Sequence, residues 1–148
     1  ALKGNYTRYK AIKAAQYDRL EKIKNSLWVA AMVVQVKRQK YFRWHDAGDV
    51  QDLEHLKKIY SVCKLTPEVK HWMPTREAWI KNHLDSKPDN LVIRFSPPMI
   101  GQRNDSWPNS SMVVETGASC PAPSQGGKCG TCRQCWDSTV KVVSYGKH

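Results

Sequence analysis

Between Tyr41 and Phe95 the sequence changes its hydrophobic period four times, and that switching leaves few folds open. Tyr41-Phe42-Arg43-Trp44-His45 is short and aromatic, as a strand is. Leu53, Leu56, Ile59, Tyr60 and Cys63 then recur by three and four, the spacing of one helix face. Asp49 or Asp52 can cap that helix, and Thr66-Pro67 ends it, because the residue before proline avoids the helical basin. Val69 to Met73 reads as a second strand, Glu77 to Leu84 as a short helix, and Leu91 to Phe95 as a third strand stopped by Pro97-Pro98. Crossovers of this length join parallel strands. The reading is an α/β fold, a parallel β-α-β-α-β sheet whose extension is an incomplete β/α barrel. Ser111 to Glu115 and Thr139 to Ser144 are candidates for a fourth and a fifth strand.

Two helices are expected ahead of this sheet. Tyr9, Ile12, Leu20, Ile23 and Leu27 step with helical spacing from Tyr6 to about Asn25, with Lys and Arg on the other face. A second helix, capped by Ser26, runs from Leu27 to about Arg38 and is apolar nearly all round, which predicts burial; a β-branched strand over Met32 to Val36 is the weaker alternative. We therefore read one domain over 1–148, comprising a basic helical segment 1–40, the sheet core 41–116 and a cysteine-rich tail 117–148.

Charge bears on partners. The chain carries 24 Lys and Arg against 13 Asp and Glu, and residues 1–40 alone hold ten basic and two acidic side chains, a net of +8. A basic helical face attracts polyanions through counterion release, so nucleic acid is one expected partner. A solvated helix surface is the plain alternative. No basic-aromatic motif of a known nucleic-acid module occurs. The longest apolar run, Leu27 to Val34, is eight residues, against the ~20 that span a bilayer. No signal peptide opens the chain, and a soluble, cytoplasmic protein without a membrane partner is expected. It begins at Ala1 and not at Met, the mark expected of a fragment.

The strongest chemical signal is Cys120, Cys129, Cys132 and Cys135, four of the five cysteines within sixteen residues, spaced C-x8-C-x2-C-x2-C. They lie in a Gly-, Pro- and Ser-rich stretch with too few apolar residues to order itself. A metal bound by converging thiolates would supply the missing stability. Two disulfides are the competing arrangement, but C-x2-C is short for an unstrained bridge and nothing marks the chain as secreted. Zinc sites favour two separated C-x2-4-C pairs. A serial triplet with one cysteine upstream is nearer to iron–sulfur ligation. A [4Fe-4S] cluster is thus the first expectation and Zn2+ the second; either could be purely structural.

A second constellation follows from topology. Ligands of parallel sheets bind beyond the carboxyl ends of the strands. Those ends carry His45, Asp46 and Asp49, then Thr75 and Arg76, then Ser96. Arg76, with Ser96, could hold an anionic ligand or cofactor, and His45 or Asp46 could run acid–base chemistry beside Asp49 and Thr75. The plainer roles are N-caps for Asp49 and Thr75 and an ion pair of Arg76 with Glu77 or Asp46. His55, His71 and His83 read as packed or surface histidines. No P-loop, G-x-S-x-G, H-E-x-x-H or G-x-G-x-x-G motif occurs, so neither triad hydrolysis nor P-loop chemistry has support.

The blocks Tyr41-Phe42-Arg43-Trp44-His45-Asp46-Ala47-Gly48-Asp49 and His71-Trp72-Met73-Pro74-Thr75-Arg76-Glu77, followed by the cysteine tail and Val142-Val143-Ser144-Tyr145, resemble bacteriophage proteins of the gene-product-eighty-eight type. The resemblance covers nearly the whole chain. It implies further cysteines upstream of a segment similar to Ala1-Leu2-Lys3-Gly4-Asn5-Tyr6, and hence that Ala1 is internal. It also implies life in the cytoplasm of an infected bacterial host, with a host protein as another conceivable partner. An upstream cysteine cluster, a β/α core and a cysteine tail together are similar to radical S-adenosylmethionine enzymes with cluster-binding extensions. The implied activity is a redox or radical-type reaction on nucleic acid or nucleotide. The alternative is a zinc-stabilised nucleic-acid- or host-protein-binding protein without catalysis. The usual C-x3-C-x2-C signature is absent, however, and four tail thiolates on one cluster leave no iron open for S-adenosylmethionine.

Overall fold

The computed structural model describes residues 9–45 and 48–147. Two helices, α1 (Lys10–Ile23) and α2 (Trp28–Val36), precede strand β1 (Tyr41–Arg43). Helix α3 (Leu53–Leu65), β2 (Lys70–Thr75), a 3-10 helix (Ala78–Ser86) and β3 (Leu91–Phe95) complete the expected alternation. Strands β4 (Ser110–Val114) and β5 (Val142–Gly146) lie close to where the sequence suggested them. The order in the sheet is β1-β2-β3-β4-β5, and every pairing is parallel. The sheet curls like half of a barrel.

Alternation along the strands divides the two faces. Met73 of β2 and Leu91, Ile93 and Phe95 of β3 join Leu56, Ile59, Tyr60, Val62 and Cys63 of α3 and Ile80 of the 3-10 helix in one buried cluster. Trp72 of β2 belongs instead to a small second cluster with Cys135 and Val143. One sheet face is thus covered by helices and the other by the cysteine segment. Helix α3 starts where its carboxylate cap requires: Asp52 Oδ1 accepts from the His55 amide at 2.8 Å. At its far end the Asn90 side-chain amide reaches the carbonyls of Cys63, Thr66 and Val69, fastening the helix exit to the start of β3.

The seam lies between β3 and β4. Their register rests on Phe95 opposite Ser110 alone, whereas β4 and β5 pair over five positions. Side chains help close the gap, with the hydroxyls of Ser96 and Ser111 2.5 Å apart, while on the other side Asn109 Nδ2 donates to the carbonyls of Ser138 and Val140 and ties the start of β4 to the segment before β5.

Two expectations need correction. Helix α2 is not buried all round; Val36 alone in it is buried, while Leu27 before it is 70% exposed and Val34 is 56% exposed. Its apolar composition exceeds what packing against the core from one side can cover. Ser26 does not cap it: the Asn25 side chain accepts from the Leu27 amide at 2.8 Å, and the helical residues begin after Leu27. The short helix expected after β2 is present and winds as a 3-10 helix, with the Ile80 amide bonded to the Glu77 carbonyl three residues back at 3.2 Å. Among the described residues, no helix is long and apolar enough to cross a membrane.

Candidate functional site

The cysteine tail is held to the sheet at both of its ends. The Cys120 amide donates to the Ser144 carbonyl at 3.0 Å, and Ser119 and Ser144 exchange reciprocal amide-to-hydroxyl bonds at 2.7 and 2.9 Å. Residues 119 and 120 are thereby stitched onto β5. Cys129 and Cys132 close a turn, with the Cys132 amide bonded to the Cys129 carbonyl at 3.0 Å. Gly130, next in that turn, has φ 53°, a backbone conformation that side-chain-bearing residues resist. A 3-10 turn, Gln134–Trp136, sets Cys135 inward, where it is 8% exposed against Trp72 and Val143.

All four cysteines line one small cavity of about 10 Å3, together with Pro121, Gln134, Trp136 and Val143. All four are free thiols in this arrangement. Among the described residues, no three His, Cys, Asp or Glu side chains are already set around a single metal ion. The chemistry of the walls is nonetheless specific. Cys135 Sγ lies 3.0 Å from the Tyr145 hydroxyl. Burial pushes the Cys135 thiol above its usual range, while the Tyr145 hydroxyl and the Arg94 guanidinium pull it back. The Trp72 Nε1–H, in the same small cluster, is buried and has no hydrogen-bond partner.

Arg94 is the residue that sequence reading passed over. Its side chain is fully buried, and its guanidinium donates to five carbonyls: Gln134 at 2.7 Å, Asp137 at 2.8 Å, Val140 at 2.9 Å, Cys135 at 3.1 Å and Ser110 at 3.4 Å. One side chain on the central strand thus shapes the segment that carries Cys135. The signal was present: a lone arginine in the apolar run Leu91-Val92-Ile93-Arg94-Phe95 has to find partners if that strand is buried on both faces.

The carboxyl ends of the strands do meet. Asp49 Oδ1 accepts from the Thr75 hydroxyl at 2.7 Å and from the Val50 amide at 2.8 Å, and Oδ2 accepts from the Arg76 amide at 2.6 Å. The Ser96 amide in turn donates to the Thr75 carbonyl at 2.8 Å. Asp49 therefore ties the loop after β1 to the end of β2. The Arg76 side chain is exposed, and Asp46 lies outside the described residues. Thr75 also accepts from the Glu77 amide at 3.0 Å, a turn contact and not the N-cap expected of it, since Glu77 stands at the cap position of the 3-10 helix.

His45 departs from ordinary backbone geometry, with φ 54°, among the described residues the one non-glycine with a positive value. Its Nε2 is buried without a partner, and its ring stands 5.6 Å from that of His55, edge to face. Burial lowers the pKa of His45 against the opposing pull of Asp49. Burial, then the neighbouring His45, lowers His55 to about 4. Both imidazoles are neutral at pH 7. His55, read from sequence as merely packed, is the nearest partner of His45. At the opposite edge of the sheet a larger cavity of about 560 Å3 is lined by Tyr41, Lys70, Asn90, Arg133 and Trp136 among others; Trp136 borders it and the cysteine cavity alike.

Comparison with known proteins bears on identity. The family model for Gene product 88 matches residues 1–107. The chain belongs to that family. Both sheet-edge blocks, Tyr41 to Asp49 and His71 to Glu77, fall inside the span matched by Gene product 88, whereas the four tail cysteines follow it. No curated protein and no solved structure matches the chain.

Proposed function

We propose that this Gene product 88 protein is a phage iron–sulfur protein, its C-terminal segment ordered by a [4Fe-4S] cluster on Cys120, Cys129, Cys132 and Cys135. The observation that carries the reading is the gathering of four free thiols on one cavity whose other walls are Pro121, Gln134, Trp136 and Val143. The surroundings suit an anionic sulfur centre. The Tyr145 hydroxyl is placed to donate to Cys135, Trp72 keeps a buried N–H in reserve, and Arg94 supplies positive charge. Hydrogen bonds to sulfur and exclusion of water are the means by which a protein sets the potential of such a cluster. When bound, the cluster would supply one-electron chemistry. With four protein thiolates it has no iron open for S-adenosylmethionine, so that cofactor is not assigned to this tail.

The C-terminal sheet edge is the ligand side in this reading. His45 is a neutral imidazole able to accept a proton, and the exposed Arg76 guanidinium can pair with a phosphate or carboxylate. A nucleotide or nucleic acid fits that chemistry. Helix α1 has no fully buried residue and presents Lys10, Lys13 and Arg19 to solvent, although Lys22 and Lys24 are paired with Asp18 and Glu21.

One observation favours a second reading, a zinc-stabilised binding protein without catalysis. A cavity of about 10 Å3 is nearer the size of a single ion than of a four-iron cluster, and the exposed Cys129 turn would have to draw in for the one or move outward for the other. Anaerobic purification separates the two. Absorbance at roughly 400 nm with matching iron and sulfide supports the cluster. A colourless protein with one zinc per chain supports the alternative, and absence of both metals overturns the metal centre altogether. Binding to DNA or RNA that falls steeply with salt would support the basic helix as a nucleic-acid surface.

A further inference from the structure

Arg94 poses a problem of charge that its hydrogen bonds do not solve. Every carbonyl it contacts is neutral, yet an ion removed from water needs a compensating charge as well as hydrogen bonds. Among the described residues no carboxylate forms an ion pair with it. Asp137, the nearest candidate, offers Arg94 its backbone carbonyl and directs its own carboxylate at the amide and hydroxyl of Thr139. The groups that do face the guanidinium electrostatically are Cys135, Tyr145 and Asp137. With neutral thiols, the charge facing this buried cation is that of the Asp137 carboxylate alone, which is solvent-exposed and engaged by Thr139. Four thiolates on a metal or cluster carry net negative charge and complete the compensation.

We infer that Arg94 is the buried counter-charge of the thiolate centre, a positioning residue whose fixed cation favours the anionic ligand set while its carbonyl cage holds Cys135 in place. The inference rests on the metal-centre reading and deepens it: the centre is selected for net negative charge. It also explains why an arginine stands in the middle of a strand otherwise built of Leu, Val, Ile and Phe. A lysine would keep the charge and lose most of the cage, because it presents three donors from one atom where arginine presents five in a planar fork.

The test titrates Co2+ into the reduced, metal-free full chain against a competing chelator, reading the thiolate-to-cobalt absorption, with circular dichroism as the check on folding. The variants are Arg94→Lys, Arg94→Met and Arg94→Gln; the last keeps amide donors for the carbonyls without the charge and serves where Arg94→Met fails to fold. Affinity is expected to fall about 10- to 100-fold in the uncharged variants and to be largely rescued in Arg94→Lys. Equal weakening in Arg94→Lys and Arg94→Gln would reduce Arg94 to a structural clamp and overturn the inference, leaving the metal centre standing. A wild-type chain with no thiolate–cobalt band, and no native metal, overturns the metal-centre reading itself.

Discussion

The two faces of the sheet are stabilised by different physics although they share the same strands. Toward the helices, thirteen buried residues among those described form one contiguous core. Toward the tail, the buried cluster has three members, Trp72, Cys135 and Val143. On the first face, area removed from water supplies the stability, at roughly 25 cal/mol per Å2. On the second, order comes from directed bonds: the Arg94 cage, the Ser119–Ser144 exchange and, in our proposal, metal–sulfur bonds. The lesson is that a parallel sheet can hand one face to a segment with little apolar content if that segment carries its own cross-link.

Perturbations should therefore fall unequally on the two faces. Among single substitutions, the largest loss is expected from Leu56→Ala or Ile59→Ala in α3, both fully or almost fully buried: about 2–5 kcal/mol by chemical denaturation, with or without a chelator present. A loss under about 1 kcal/mol would mean that this core is not the main one.

Next comes Asp49→Ala, which leaves the Thr75 hydroxyl and the amides of Val50 and Arg76 without their acceptor. About 2–3 kcal/mol is expected, with Asp49→Asn intermediate. An unchanged midpoint would show that the tie between β1 and β2 is idle.

Acid should act on the helix-covered face through its histidines. His71 is held at about 4 by burial, against the contact with Thr66, and His55 also at about 4. Because the Thr66 hydroxyl donates to the Val62 carbonyl, its 2.9 Å contact with His71 is an Nε2–H donation, which leaves His71 Nδ1 a buried, unpartnered acceptor. Both folded-state values lie below the unfolded value near 6.5. The stability of the neutral forms is thus complete above about pH 6.5 and is lost as pH falls toward 4, by up to about 1.4 kcal/mol per pH unit per histidine. Denaturation midpoints at a series of pH values, with chelator present throughout, check this; stability that rises on acidification through this range would contradict it. The smallest effect, about 1 kcal/mol, belongs to Asp52→Ala at the cap of α3.

Much of the fold was legible because segment length and period are local properties. The strand–helix alternation, an aspartate cap on α3 (Asp49 or Asp52) and the parallel pairing all followed from them. What escaped depends on tertiary contacts that no local pattern encodes. The apolar surface of α2 looked like a buried helix, but burial needs neighbours on every side and α2 has them on one. His45 takes a left-handed conformation that nothing in Trp44-His45-Asp46 announces. The sheet-edge residues were found by topology, yet the detail that Asp49 spends both oxygens on Thr75 and on the Val50 and Arg76 amides emerges only in three dimensions. The cysteines announced themselves by spacing. Arg94 did not, since its role depends on a segment forty residues further along the chain.

The most direct measurement is hydrogen exchange of the anaerobically purified chain before and after chelation. The account predicts that amides in residues 117–136 lose protection when metal is withdrawn, while those of α3, β2 and β3 keep theirs. Equal protection of the tail in both samples would contradict it, for the cysteine segment would then be ordered without any metal.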